Sequence, residues 1–243
     1  SNWKAKLMCD IDLDNHDFMS INNAGAEFDG CGHTIRGLHA VSSGAYTGLF
    51  KKTSTNCTIK NLTIEDAVIK NTSTSSDCEA GILMGYAGDS ITVENCYVSG
   101  EIVGKNAVRY AGGLIGDIHS SGSVSIRSCY ANPQIIGITS NGFAGGLVGW
   151  TGGTTTIENS YAVVDMDVDR GYDIGGLVGC GSDSKVTISH SYAAGEALTK
   201  SSTGAAVAGI SNNGSISSCV SIFPEMRSLN RIGGTSGKYT NNY

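Results

Sequence analysis

Prolines, long apolar runs and basic clusters are all scarce in this chain of 243 residues. The only two prolines are Pro133 and Pro224, so no segment has the composition of a proline-rich linker. No apolar run approaches the ~18 residues of a membrane span, and we expect no membrane insertion by this segment. The formal charge of −6 and the scattered lysines argue against nucleic-acid binding, which needs a basic stripe.

Familiar catalytic and metal-binding motifs are missing as well. The patterns HExxH, GxSxG and CxxC do not occur, and the five histidines show no metal-ligand spacing. His190 and His33 fall in repeated turn phrases, where a structural role is expected. The sequence therefore predicts no catalytic residue, no metal site and no cofactor.

Glycine is abundant, with 34 residues, and many of them stand in one recurring phrase. The phrase reads AGGLVGW at Ala144, and its close copies begin at Ala80, Ala111 and Ile174. Degenerate copies, which keep only part of the phrase, begin at Thr47, Ala205 and Ile232. The copies recur about every 30 residues, a period that is typical of repeat architectures.

A second phrase alternates β-branched and polar residues, as in TIENSYA at Thr156 and TISHSYA at Thr187. Alternation with period two predicts β-strands, and no stretch has a helical pattern. About three short strands fit into each period, and about eight periods fit into the chain. The sequence thus predicts an all-β parallel β-helix of about eight coils of roughly 30 residues, with residues 1–243 as one domain.

Stacked coils place equivalent residues in columns. The inward aliphatic column is predicted to contain Ile35, Ile59, Val93, Ile126, Ile157, Ile188 and Ile216. A bend column that tolerates left-handed backbone contains Gly37, Asn61, Asn95, Ser128, Asn159, His190 and Ser218. Between them, an outward charged column contains Arg36, Lys60, Glu94, Arg127 and Glu158. The final glycine of the first phrase gives the column Gly85, Gly116, Gly149, Gly179, Gly209 and Gly237, where a neighbouring coil leaves little room for a Cβ.

The eight cysteines could suggest a disulfide framework, but their positions favour free thiols. Cys96, Cys129 and Cys219 share one repeat position, which Ser160 and Ser191 fill between them. A column that accepts either cysteine or serine is typical of a small buried slot. One bridge between Cys96 and Cys129 in adjacent coils stays possible.

Four tyrosines, Tyr97, Tyr130, Tyr161 and Tyr192, share an outward column with one ring per coil. They are the candidate ligand-binding residues of this sequence. One interpretation is an aromatic ladder that stabilises neighbouring strands. The other is a contact strip for a glycan or a protein, because an exposed row of aromatic rings is unusual.

Two acidic runs, Asp10–Asp14 and Asp165–Asp169, alternate with apolar residues. On a strand, each run would place three carboxylates on one face, which could suit calcium or sugar hydrolysis. The simpler interpretation is an alternating strand that keeps its acids in water and its apolar residues in the core.

The repeated phrases GGLIG and GGLVG, followed by SCYA, NSYA and HSYA, resemble the GLUG repeat family. The segments FDGCGHTIRGL and TIKNLTIEDAVI are similar to sequences that accompany such repeats, and the copies at Ala205 and Ile232 depart from the pattern. The family occurs in bacterial cell-surface proteins, including adhesin-like proteins and non-catalytic regions of IgA-specific proteases. The resemblance implies a right-handed β-helix at a bacterial cell surface and carries over no catalytic residue.

These observations predict a non-enzymatic, extracellular and monomeric β-helical module with an adhesive, ligand-binding or stalk role. Its partner would be a host or cell-surface protein or a glycan. The alternative is a carbohydrate-active β-helix enzyme, either a polysaccharide lyase or a glycoside hydrolase. Because YTNNY at Tyr239 resembles the start of another strand phrase, we expect the chain to be a fragment of a longer one.

Overall fold

The structure is a computed structural model that describes residues 2–53, 55–75, 77–104, 107–167, 173–181, 186–198, 214–223 and 238–243. Within these ranges every regular element is a β-strand, and all strand pairs are parallel. No helix long and apolar enough to cross a membrane occurs in the same ranges. The chain is an all-β parallel β-solenoid, as predicted, but it has about six turns where the sequence predicted about eight.

The strands form four sheets, numbered here in the order in which one coil passes through them. Sheet 1 contains Tyr46–Thr47, Cys78–Gly81, Val108–Gly112, Phe143–Gly145 and Asp173–Gly175. Sheet 2 contains Ile21–Asn23, Phe50–Lys52, Met84–Ala87, Ile115–Ile118, Val148–Thr151 and Val178–Cys180. Sheet 3 contains Lys4–Lys6, Glu27–Asp29, Thr55–Lys60, Asp89–Glu94, Ser123–Arg127, Thr154–Glu158, Val186–Ser189, Ser215–Ser217 and Lys238–Thr240. Sheet 4 contains Ile11–Asp12, Asp17–Phe18, Thr34–Arg36, His39–Ser42, Thr63–Asn71, Tyr97–Val103, Tyr130–Ile136, Tyr161–Asp167, Tyr192–Leu198 and Val220–Ile222.

A central coil has four strands, whereas the sequence predicted three. The coil that starts at Cys78–Gly81 continues through Met84–Ala87, Asp89–Glu94 and Tyr97–Val103. The difference arises in the glycine phrase, because its two halves are separate short strands in sheets 1 and 2. The turn between them, Ile82–Leu83 in this coil, sends a fully buried leucine into the core.

The aliphatic column forms one buried line through sheet 3, as predicted. Its members Ile59, Val93, Ile126, Ile157, Ile188 and Ile216 are paired in register and are at most 1% exposed. The assignment of Ile35 to this column was wrong. Phe28 pairs with Ile59 in sheet 3, whereas Ile35 pairs with Ile64 in sheet 4. Both sheets bury alternate residues, so the phrase TIRGL fits either of them equally well.

The outward charged column alternates in sign along sheet 3, and its first member also needs correction. In register, the column runs Asp29, Lys60, Glu94, Arg127 and Glu158. Arg36 lies in sheet 4 instead, where its guanidinium forms an ion pair with Glu65 at 2.6 Å. Opposite charges therefore stand above one another along the stack, which favours the native register.

The bend column has left-handed backbone throughout the described coils. The φ angles of Asn61, Asn95, Ser128, Asn159, His190, Ser218 and Asn241 lie between 49° and 54°. Gly37 also has a positive φ, but it follows the sheet 4 strand of Ile35 and lies outside this column. The asparagines form a ladder, since Asn95 donates to Asn61 at 2.9 Å and Asn61 donates to Asp29 at 3.1 Å. This confirms that the bends are structural.

The cysteine and serine column is buried, and all eight cysteines are free thiols, as predicted. The structure also explains why the column needs a small polar side chain. The backbone N–H of Cys129 donates to Ser160 Oγ, and that of Ser160 donates to Ser191 Oγ. In the last described coil the N–H of Cys219 donates to Asn242 Oδ1. A side-chain oxygen of the following coil thus accepts a hydrogen bond from the backbone N–H next to the bend.

The glycine column lies where sheets 1 and 2 pack backbone against backbone. A Cβ on Gly149 would lie 2.6 Å from Ala111 N and 2.6 Å from Gly116 O. A Cβ on Gly179 would lie 2.4 Å from Gly149 O. The described members of the column are therefore scaffolding, and the predicted members Gly209 and Gly237 lie outside the described residues.

We predict that Gly149→Ala destabilises the chain by about 3 kcal/mol, because two backbone segments would have to separate. Gly44→Ala is the matched control, since a Cβ there meets only Ser42 Oγ at 3.4 Å. Chemical denaturation of both variants measures the difference. Equal midpoints for the two variants would contradict the close approach of sheets 1 and 2.

Candidate functional site

The four predicted site tyrosines lie together at the first positions of successive sheet 4 strands. Tyr97, Tyr130, Tyr161 and Tyr192 are paired in register. Each is followed by a small or aliphatic residue that is fully buried, so alternation directs the tyrosines outward. Tyr243 occupies the equivalent backbone position in the last described coil, because its N–H donates to Cys219 O as the N–H of Tyr130 donates to Cys96 O.

The four rings stack on one another along the solenoid axis and form the tyrosine ladder. Centroid distances are 4.8 Å for Tyr97–Tyr130, 4.2 Å for Tyr130–Tyr161 and 4.5 Å for Tyr161–Tyr192. The angles between ring planes fall from 34° to 22° and then to 11°. Each inner ring therefore has both faces against its neighbours and presents its edge to solvent.

Two hydroxyl groups of the ladder, those of Tyr130 and Tyr192, have pKa values above the ordinary tyrosine value. Burial, followed by the neighbouring tyrosines, raises the pKa of Tyr130 above its ordinary value. Burial and Tyr161 raise the pKa of Tyr192 in the same way. Because the rings stack on one another, the ladder offers a row of hydroxyl groups rather than a set of aromatic faces.

Polar grooves flank the ladder on both sides. The first has a volume of about 430 Å³, and its lining includes Asn61, Asn95, Ser128 and Asn159 of the bend column. The second, of about 400 Å³, is lined by Asp66, Ser99, Glu101, Asn132, Gln134 and Asp165, among others. Gln134 Nε2 donates to Asp165 Oδ2 at 2.9 Å across adjacent coils. The ladder and its grooves can therefore contact a partner mainly through hydrogen bonds.

A second cluster, which the sequence analysis missed, lies at the seam between sheets 1 and 2. Just outside the glycines, sheet 1 aligns Tyr46, Glu79, Tyr110, Phe143 and Asp173 in register. Sheet 2 aligns Lys52, Tyr86, Asp117, Trp150 and Cys180. The two rows contact each other, with ring centroids 5.1 Å apart for Tyr46–Tyr86 and 5.4 Å for Tyr110–Trp150.

Two of the acids in this seam, Asp117 and Glu79, are largely buried between aromatic residues of the adjacent coils. Asp117 is only 6% exposed, and burial raises its pKa to about 7. Burial, followed by the charges of Asp117 and Asp77, raises the pKa of Glu79 to about 9. Asp117 Oδ1 and Glu79 Oε2 are buried without a hydrogen-bond partner among the described residues. Glu79 is therefore mainly protonated at neutral pH, and Asp117 titrates near it.

The seam was missed because its residues come from different coils. Glu79 and Asp117 are single acids next to glycine phrases that were correctly interpreted as scaffolding. Glu79 and Asp117 come close because the sheet 1 strand of one coil packs against the sheet 2 strand of the next coil. The only sequence signal was an acid where the equivalent positions of the two adjacent coils have Tyr or Trp.

The second acidic run has the simpler role where the structure describes it, whereas Ile11 of the first run is exposed rather than in the core. Asp165 and Asp167 are exposed, and Met166 between them is 1% exposed, as expected for an alternating strand. Asp169 lies outside the described residues. The expected common face of Asp10–Asp14 was wrong, because the strand ends at Asp12 and Asp14 has a φ of 49°. Among the described residues, no three His, Cys, Asp or Glu side chains are placed to hold a metal ion.

Comparisons with known proteins agree with the solenoid architecture. No protein-family model matches the chain, and no curated protein matches it. The fold is similar to the crystal structure of "a putative immunoglobulin A1 protease" from Bacteroides ovatus, with a TM-score of 0.71 and 21% sequence identity. The match covers 100% of this chain and 77% of that one. At this identity the likeness shows the fold alone.

We predict that the tyrosine ladder contributes to stability through its stacked rings. Tyr130→Thr, which copies Thr63 at the same column position, removes two ring contacts and should cost about 1–3 kcal/mol. Tyr130→Phe keeps both contacts and should stay within about 0.5 kcal/mol of the wild type. Urea denaturation compares the three proteins, and a Tyr130→Thr variant as stable as the wild type would contradict a structural ladder.

We predict a stability component from Glu79 that decreases with pH. The pKa of Glu79 is about 9 in the folded chain, against a reference value of 4.5. The unfolded chain therefore loses this proton first as pH rises, and stability falls from about pH 5 to about pH 9. In Glu79→Gln this component, on the order of 1–2 kcal/mol after allowance for solvent screening, should disappear.

The measurement is thermal or urea unfolding of wild type and Glu79→Gln across that pH range. The exposed Glu101→Gln is the control, and its stability should follow the wild-type pH profile. If the Glu79→Gln profile also runs parallel to wild type, Glu79 does not titrate as its burial requires.

Proposed function

We propose that this chain is a non-enzymatic, extracellular module of a bacterial surface protein that serves as a stalk or an adhesive surface. The observation that carries the proposal is the stack of four tyrosine rings, 4.2–4.8 Å apart, along the solenoid axis. Rings that cover one another stiffen the stack and do not offer their faces to a substrate. Their hydroxyl row and the flanking grooves are available to a host or cell-surface protein or glycan.

The other ladders support the same role. The aliphatic line, the asparagine bends and the buried cysteine and serine column all connect each coil to the next. Because the same contacts repeat, the coils stack as a rod in which each one depends mainly on its neighbours. Such a rod can hold a surface at a distance from the cell.

The fold likeness also supports an extracellular setting. The similar crystal structure is that of "a putative immunoglobulin A1 protease". Immunoglobulin A is an extracellular protein. The resemblance of the glycine phrases to GLUG repeats agrees with this setting. We therefore place the module at a bacterial surface, and we propose that it acts as a monomer.

The buried acids favour one alternative, a carbohydrate-active enzyme. Glu79 and Asp117 are two carboxyl groups whose pKa values are raised by burial to about 9 and about 7. A protonated carboxyl beside a second carboxyl is the equipment of a glycoside hydrolase. Glu79 Oε2 and Asp117 Oδ1 are buried rather than open to solvent, and for this reason we prefer the non-enzymatic role.

An activity screen decides between the two functions. The 243-residue chain is incubated with xylan, pectin, hyaluronan and starch, and reducing ends and unsaturated uronic acids are measured. We expect no turnover by wild type or by Glu79→Gln. Turnover that Glu79→Gln abolishes, while Glu101→Gln keeps it, would overturn the non-enzymatic proposal in favour of the enzyme.

A further inference from the structure

A polar pocket that no function above uses lies where three successive coils pass from sheet 4 to sheet 1. It has a volume of about 390 Å³ and is lined by Asp77, Arg109, Thr139, Ser140 and Asn141. Asp77 precedes the strand Cys78–Gly81, and Arg109 lies in Val108–Gly112. Thr139 to Asn141 form the turn before the next strand of sheet 1, closed by a bond from Gly142 N–H to Thr139 O.

The Arg109 side chain is held in a defined position at the centre of this pocket. Its Nη1 donates to Asp77 Oδ1 at 2.8 Å, and its guanidinium carbon lies 5.1 Å from the centre of the Tyr110 ring. Tyr110 is in turn stacked on Trp150 of the following coil. The guanidinium is thus oriented by an ion pair on one side and an aromatic ring on the other.

The pocket has hydrogen-bonding capacity that the described part of the protein does not use. Thr139 is only 7% exposed, and its Oγ1 has no hydrogen-bond partner there. Arg109 Nε is also buried and without a partner among the described residues. Buried polar atoms are nearly always paired in folded proteins, so two unpaired ones at the same pocket indicate a position at which a ligand completes the bonding.

The electrostatic balance of the pocket favours an uncharged ligand. The charges of Asp77 and Arg109 compensate each other, and Thr139, Ser140 and Asn141 carry none. Behind Arg109, burial raises the pKa of Glu79 to about 9, so this carboxyl is neutral at pH 7. An acidic ligand would have to displace Asp77 from the Arg109 guanidinium. A basic ligand would be repelled by the positive charge of that guanidinium.

The described lining residues are all polar and offer donors and acceptors close together. The hydroxyls and the Asn141 amide can each donate and accept, the Arg109 fork donates, and the Asp77 carboxylate accepts. Adjacent hydroxyls of a sugar ring match such a lining. The large side chains that usually anchor a bound peptide need an apolar wall instead.

We propose that the pocket formed by Asp77, Arg109, Thr139, Ser140 and Asn141 binds a neutral saccharide. The proposal deepens the adhesive role by naming a partner class, and it rests on that role only for its biological setting. Binding can be measured on the isolated chain. Loss of the pocket proposal would leave the stalk role intact, and enzymatic turnover would leave the pocket in place.

The test titrates the 243-residue chain with lactose, maltotriose and diacetylchitobiose and follows its backbone amides by NMR. Sialyllactose serves as the acidic counterpart of lactose, and a capped Gly-Ser-Asn-Gly peptide serves as the peptide probe. We expect a neutral sugar to shift the amides of Arg109 and Thr139 to Asn141. We also expect sialyllactose to bind more weakly than lactose.

Thr139→Val is the decisive variant because it removes only a hydroxyl that has no partner in the described structure. It should fold like the wild type and bind the sugar about tenfold more weakly. Arg109→Gln should weaken binding at least as much, and the exposed Arg127→Gln is the control that should bind normally.

Three results would overturn the proposal. They are the absence of amide shifts at the pocket with every neutral sugar, unchanged affinity in both folded pocket variants, and tighter binding of sialyllactose or the peptide than of the neutral sugars.

Discussion

The inner strands of this solenoid form their backbone hydrogen bonds with the equivalent strands of the coils before and after them, mostly in continuous register. Side chains at equivalent positions are therefore separated by only one strand spacing, about 4.8 Å. At that distance an isoleucine packs on an isoleucine, an asparagine donates to an asparagine, and a tyrosine ring covers the next. Opposite charges alternate along Asp29, Lys60 and Glu94 for the same reason. The ladders, the rod and its rigidity all depend on this one spacing.

The same constraint makes departures from a ladder informative. Along the seam of sheets 1 and 2, Glu79 and Asp117 replace the aromatic residues of the adjacent coils, and each has one buried carboxyl oxygen without a hydrogen-bond partner in the described structure. The neighbouring pocket contains Arg109 and Thr139, which also keep unpaired atoms. A protein that needed only a smooth rod could place tyrosine or serine at these positions. These departures are where the chemistry of the surface is concentrated, and they lie on a different side of the coil from the tyrosine ladder.

Predictions from the sequence were reliable where a residue type recurs at a fixed period. The bends at Asn61, Asn95 and Asn159 and the tyrosine column were correct because several coils repeat the same signal. The prediction failed for Ile35, where a similar phrase lies in another sheet and alternation alone does not distinguish two sheets that both bury every second residue. It also gave three strands per coil, because the glycine phrase contains two short strands separated by a buried turn, and neither half alone shows a periodic pattern.

The sequence by itself determined the β-solenoid, its coil length and most of its columns, since these follow from local alternation and from repetition along the chain. Only the tertiary structure decided that the tyrosine rings cover one another instead of facing solvent, because ring orientation depends on neighbours about 30 residues away. It also decided that Glu79 meets Asp117 and that Arg109, Asp77 and Thr139 line one pocket. Each of those groups joins residues of unlike type from different coils, which no repeated sequence signal marks, so packing between coils alone brings them together.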